Sequence, residues 1–155
     1  MALELPLFAA VLAAQLIAIS VIDICEQRIP DPLNLSLLVT GLGMQVGTNL
    51  EFVSYQILFA AGVGLLFLAV RQVHFSVTGV IGLGLGDVKM VGAGAMWFAP
   101  SMFPLFLFIA SFAALGVALL RFTLGSPTSR FHRLAFGPFL AFGIALAFAL
   151  ENFWS

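Results

Sequence analysis

Long apolar runs alternate with short polar breaks along the chain, and the runs have the length of membrane spans. A helix needs about 20 mostly apolar residues to cross a bilayer. Leu5 to Ile22 carries no charge and predicts a first span. It runs into a polar segment, Asp23 to Pro32, with prolines at positions 30 and 32. There Asp31 followed by Pro32 reads as a helix N-cap with proline at the first helical position. A second span is expected from about Leu33 to Gly47, where Gly41, Gly43 and Gly47 would let helices approach closely. Thr48-Asn49-Leu50-Glu51 reads as a turn. Phe52 to Val70 is a third uncharged span, closed by Arg71.

Gln72 to Gly86 is less regular. His74, Ser76 and Thr78 are polar, and glycines at 79, 82, 84 and 86 loosen the backbone. The expectation is a loop that re-enters the membrane edge. The next apolar stretch, Met90 to Leu120, is too long for one span. As one helix it would measure about 46 Å against a hydrocarbon core of about 30 Å. Pro100 and Pro104 offer a break. This predicts a fourth span from about Asp87 to Ala99 and a fifth from about Met102 to Leu120. A basic loop, Arg121 to Arg133, precedes a sixth span from about Leu134 to Phe153.

Composition agrees. The chain is 62% hydrophobic and 8% charged, where a soluble domain carries about 25% charged residues. The fold class is therefore all-α: a polytopic membrane protein of about six transmembrane helices, one domain over residues 1–155, with the lipid bilayer as its surroundings. Met-Ala-Leu-Glu at the start lacks the positive region of a cleaved signal peptide. A net charge of −1 offers no basic surface for nucleic acid. Cys25 is the only cysteine, which excludes an internal disulfide and a CxxC zinc site. Neither a metal nor a cofactor is expected.

The charges orient the spans. With both termini outside, the inner loops are 23–32, 71–89 and 121–133. They hold Arg28, Arg71, Lys89, Arg121, Arg130 and Arg133, all six basic residues of the chain, as the positive-inside rule requires. Glu4, Glu51 and Glu151 fall outside. Tyr55, Trp97 and Trp154 are expected at the outer interface, where aromatic belts form. Asp23 and Asp87 then both lie at the cytoplasmic edge.

A charge in the bilayer centre costs about 2.5–3.5 kcal/mol on insertion scales, so an aspartate within or beside a span is a functional candidate. Asp23 ends a helix, where a carboxylate opposes the dipole. Asp87 starts one, so N-capping, with Lys89 as its ion partner, would account for it equally well. If the two meet, like-charge repulsion keeps both from ionising, and the pair shares a proton. One carboxylate can then activate water while the other polarises a carbonyl. Gly84 and Gly86, without side chains, would let an extended substrate backbone lie close to Asp87. The remaining candidates read as structural. Asp31 reads as a cap, Glu26 and Arg28 as loop charges, and Cys25 as a small residue without a nearby base. His74 and His132 read as interfacial. Ser76, Ser126 and Ser129 show no nucleophile motif. Gly62, Gly64, Gly92 and Gly94 read as helix-packing positions.

Asp23, Ile29-Pro30-Asp31 and Gly84-Leu85-Gly86-Asp87-Val88-Lys89 together resemble the type IV prepilin peptidases, bacterial GxGD aspartic proteases. Phe136-Gly137-Pro138-Phe139, continuing to Gly143, is similar to a late motif of that family, with Ala135 where proline is common. The resemblance spans about residues 15–143. It implies a catalytic dyad of Asp23 and Asp87 in the inner membrane. It implies cleavage of the basic leader peptide of prepilins or pseudopilins at the cytoplasmic face, typically after a glycine. Gly84, Gly86 and Lys89 are the substrate-binding candidates, with Lys89 orienting Asp87 or steadying the loop. Residues 1–155 include no counterpart of the larger members' cysteine-bearing extension, so the resemblance implies the short, peptidase-only form of tight-adherence pili, and no methyltransferase activity is expected. Two other readings stand beside it. An intramembrane protease of the same class would usually carry Tyr-Asp, where this chain has Ile22-Asp23. A small channel, transporter subunit or assembly scaffold would use the aspartates as ion sites or caps.

Overall fold

A computed structural model describes residues 4–48, 50–123 and 135–153, without the side chains of Thr48, Leu50 and Phe122. Among the described residues six α-helices follow one another: α1 (Glu4–Glu26), α2 (Asp31–Thr48), α3 (Val53–Thr78), α4 (Leu85–Gly94), α5 (Phe103–Thr123) and α6 (Gly137–Phe153). They correspond one to one with the six expected segments. Three stretches, Glu4–Glu26, Val53–Thr78 and Pro100–Arg121, are long and apolar enough to cross a membrane. The remaining helices are shorter or more polar.

The centre of the bundle is α4 with α6. Helix α6 packs on α1 and α5 and touches α4, while α4 packs on α2 and α3. Burial follows this plan: every residue from Ala93 to Phe98 is buried. The outer faces of the other helices expose large apolar side chains such as Leu7, Ile17, Leu58, Phe108 and Phe112, as lipid contact demands.

Helix α4 has only ten residues, about 15 Å of rise. Beyond it the chain unwinds from Ala95 to Ala99 and turns through Pro100–Met102 into α5, the break expected near Pro100. Irregular backbone at this depth survives only when the protein itself satisfies its polar groups. Gln56 Nε2 donates to the carbonyls of Ala95 (2.6 Å) and Phe98 (2.8 Å). Gln45 Nε2 donates to the Met96 carbonyl, and the Ala99 N–H donates to Glu151 Oε2. Trp97, expected in an outer aromatic belt, is instead wholly buried, its indole N–H donating to the Leu37 carbonyl at 2.9 Å. The fit requires Gly41, where a Cβ would lie 2.8 Å from the indole nitrogen. Gly43, Gly47 and Gly62 face open space, whereas Gly64 and Gly92 do bring α3 against α4. Tyr55 is exposed, and Trp154 lies outside the described residues.

Three boundaries differ from expectation. Helix α1 continues through Asp23 to Glu26, so Asp23 sits in its last turn and not in the following loop. Helix α2 begins at Asp31, with the Pro30 carbonyl accepting from the Leu33 and Asn34 N–H groups. Asp31 is therefore within the first turn and not before it. Helix α3 runs through Thr78, so the first part of the expected re-entrant loop, Gln72 to Thr78, is helix. Ser76 and Thr78 return their hydroxyls to the carbonyls of Gln72 and His74. The helix stops at Gly79, whose φ of +69° is left-handed and whose N–H caps the Phe75 carbonyl. Glycine adopts that conformation without steric cost.

Candidate active site

On α1 the buried residues are Leu12, Leu16, Ile19 and Asp23. Their 4-3-4 spacing is one helix face. The register that buries three aliphatic side chains therefore carries the Asp23 carboxylate inside as well, leaving it 5% exposed. A buried carboxylate needs a donor. Asp23 Oδ2 accepts the Gly137 N–H at 2.8 Å. Gly137 is the first residue of α6, and the rest of that turn makes its N–H available. Pro138 has none, and the N–H groups of Phe139 and Leu140 bond the Phe136 carbonyl. The positive end of the α6 dipole thus faces Asp23 and compensates its poor position at the end of α1. Only glycine fits here: a Cβ at 137 would lie 2.7 Å from Asp23 Oδ2 and 3.0 Å from Cγ. Helix α1 then closes with the Gln27 N–H on the Asp23 carbonyl at 2.9 Å, Gln27 itself at φ +53°.

Asp87 is the third residue of α4. Gly84 caps that helix in an extended conformation, its carbonyl accepting the Val88 N–H at 3.2 Å. The carboxylate of Asp87 folds back over Gly84, whose N–H it engages. A Cβ at 84 would come within 2.8 Å of Oδ2. This is half of a capping box, so Asp87 does help start its helix.

The upstream Ile-Pro-Asp segment holds the head of α4. Gly86 faces Ile29, where a Cβ would meet the Ile29 Cβ at 3.0 Å and its backbone nitrogen at 3.3 Å. Lys89 pairs with Asp31, Nζ to Oδ1 at 2.6 Å, and not with Asp87 as a simple N-cap pair would. Asn34, buried on α2, donates Nδ2 to the Gly86 carbonyl at 3.1 Å, while its Oδ1 is buried with no hydrogen-bond partner. Arg71 Nε fastens the glycine loop through the Leu83 carbonyl at 3.0 Å. Glu26 and Arg28 are exposed and 3.8 Å apart, and Cys25 is exposed beside them. His74 lies on the exposed end of α3; His132, Ser126, Ser129, Arg130 and Arg133 lie outside the described residues. Among the described residues, no three His, Cys, Asp or Glu side chains gather as metal ligands would.

Residue reasoning gave no role to Asn34, Gln56 or Gly137. The first two are isolated amides inside apolar runs, a signal that a partner is waiting across the bundle. Gly137 lies within the late motif that resembles the prepilin peptidases, but its task becomes visible only with Asp23 in place.

An all-helical bundle with membrane-length helices defines a polytopic membrane protein. Residues 10–119 match the type IV leader peptidase family, and the chain belongs to that family. It is 35% identical over 128 residues to the prepilin leader peptidase/N-methyltransferase of Escherichia coli K12, covering 82% of this chain and 56% of that protein. The protein of the same name in Dichelobacter nodosus is 35% identical over 149 residues, 91% of this chain and 48% of the relative. The Legionella pneumophila protein of that name is 31% identical over 136 residues, 86% and 46%. The chain thus spans about half the length of these curated relatives. No solved structure matches it.

Proposed function

We propose that the chain is an aspartic endopeptidase that removes the leader peptide from type IV prepilins or pseudopilins at the cytoplasmic face of the bacterial inner membrane. Asp23 and Asp87 are its catalytic pair. The observation that carries this reading is the placement of two isolated carboxylates, Asp23 buried against the head of α6 and Asp87 in the first turn of α4, on helices that both pack against α6. The relatives' names supply the substrate class. The distribution of the basic residues supplies the face.

Two carboxylates at close range share a proton. The ionised one takes a proton from water, which attacks the scissile carbonyl. The protonated one donates to the carbonyl oxygen as the tetrahedral intermediate forms. Collapse of that intermediate returns a proton to the leaving amine. Gly84, exposed beside Asp87, is where the substrate backbone would lie. Gly86 and Lys89 serve the substrate indirectly, since Ile29 and Asp31 engage them.

The test is cleavage by the purified protein in liposomes of a prepilin amino-terminal peptide, followed by mass spectrometry. The expected result is one cut at the end of the leader without added metal. An intact peptide, together with an ion flux through the liposomes, would favour a channel and reject the proposal.

A further inference from the structure

The geometry points to a two-point clasp, Asp31 with Lys89 and Asn34 with the Gly86 carbonyl, that sets the head of α4 and hence Asp87 against Asp23. It rests on the catalytic reading above and adds Asp31, Asn34 and Lys89 to it as positioning residues. The Asp87 carboxylate bonds back to Gly84, on its own turn. What holds that turn comes from the start of α2. The Lys89 ammonium reaches Asp31 at 2.6 Å on the outside of the bundle. Asn34, one turn further along α2, reaches the Gly86 carbonyl at 3.1 Å on the inside. Ile29 fills the gap between them against Gly86. Contacts on two sides of the same turn fix both its position and its rotation, and rotation of α4 is what aims Asp87.

Each half has a feature that stability alone does not explain. The ion pair is exposed, with 48% of the Lys89 side chain and 71% of Asp31 accessible, and pairs of that kind add little to stability. Asn34 is only 4% exposed yet leaves Oδ1 unpartnered, so what its bond to the Gly86 carbonyl adds to stability is offset by an acceptor buried without a donor. Both are intelligible as devices for aim, at sites where a small displacement costs about 100-fold in rate.

The test measures kcat, KM and the unfolding midpoint in liposomes for Asp31→Lys, Lys89→Asp, the charge-swapped double variant Asp31→Lys/Lys89→Asp, and Asn34→Leu. The single variants should lose kcat by about 100-fold with KM and midpoint nearly unchanged. The swapped pair should recover most of the loss, and Asn34→Leu should fold normally and turn over slowly. Wild-type kcat in the single charge variants or in Asn34→Leu, or a swapped pair no faster than the slower single variant, overturns the clasp. If the wild-type chain cuts no prepilin, the catalytic reading has failed independently. The clasp is then read without activity, by joining Asp31→Cys to Lys89→Cys in a Cys25→Ser background with a short bismaleimide. Ready cross-linking supports it and no cross-linking overturns it.

Discussion

Gly137→Ala tests how tightly the site depends on the approach of α6 to Asp23. The new Cβ would lie 2.7 Å from Oδ2, 3.0 Å from Cγ and 3.1 Å from Cβ of Asp23. Ordinary van der Waals contact begins at 3.4 Å, so the carboxylate must retreat by about 0.7 Å. A carboxylate oxygen alone could swing aside, but the Asp23 Cβ is fixed to α1 and the side chain is buried. The two helices must therefore separate, or the hydrogen bond to the Gly137 N–H must lengthen. Overpacking of this kind costs about 1–3 kcal/mol, and the better helix propensity of alanine returns up to about 1 kcal/mol. Net destabilisation should be modest, while displacement of the proposed catalytic carboxylate by most of an ångström should reduce kcat by about 100-fold. The assay pairs prepilin cleavage in liposomes with thermal unfolding. Gly43→Ala is the control, because that position faces open space, and it should match wild type in rate. Wild-type kcat in Gly137→Ala would refute the reasoning.

Three further outcomes are expected. Gln56→Leu leaves the buried carbonyls of Ala95 and Phe98 without their donor, at about 1–3 kcal/mol each, so the unfolding midpoint should fall clearly while the folded fraction still cleaves. Gly86→Ala drives a Cβ to 3.0 Å from the Ile29 Cβ, and should lower kcat by shifting the head of α4, as a rate measurement beside an unfolding scan will show. Cys25, exposed next to the site, should react with a membrane-impermeant maleimide in inverted vesicles and not in intact cells. The opposite pattern would reverse the assigned orientation.

The number of helices and the break near Pro100 were legible because both follow from bilayer thickness. Sidedness rests on the six basic residues alone and stands as an expectation. What lies inside each helix was not. In a membrane the outer face is as apolar as the core, so Leu16 and Ile17 read alike although one is buried and the other faces lipid. For the same reason Trp97 passed for an interfacial residue. The length of α3 was hidden because bilayer thickness limits a span and not a helix, and Gln72 to Thr78 continue past it. The two aspartates were legible as isolated charges next to apolar runs. Their supports were not, since the Gly137 N–H, the Asn34 amide and the Lys89–Asp31 pair act across helices and leave no local pattern. A glycine shows that something comes close without showing what, and at Gly86 the neighbour inside the protein is Ile29.

The most direct test of the central claim is single-turnover cleavage of a prepilin in liposomes by Asp23→Asn and by Asp87→Asn, each checked for a wild-type unfolding transition. Either substitution keeps the size of the side chain and removes its capacity to exchange a proton. If the two carboxylates are one catalytic pair, each variant folds and neither releases the leader. Cleavage at the wild-type rate by either folded variant would contradict the account.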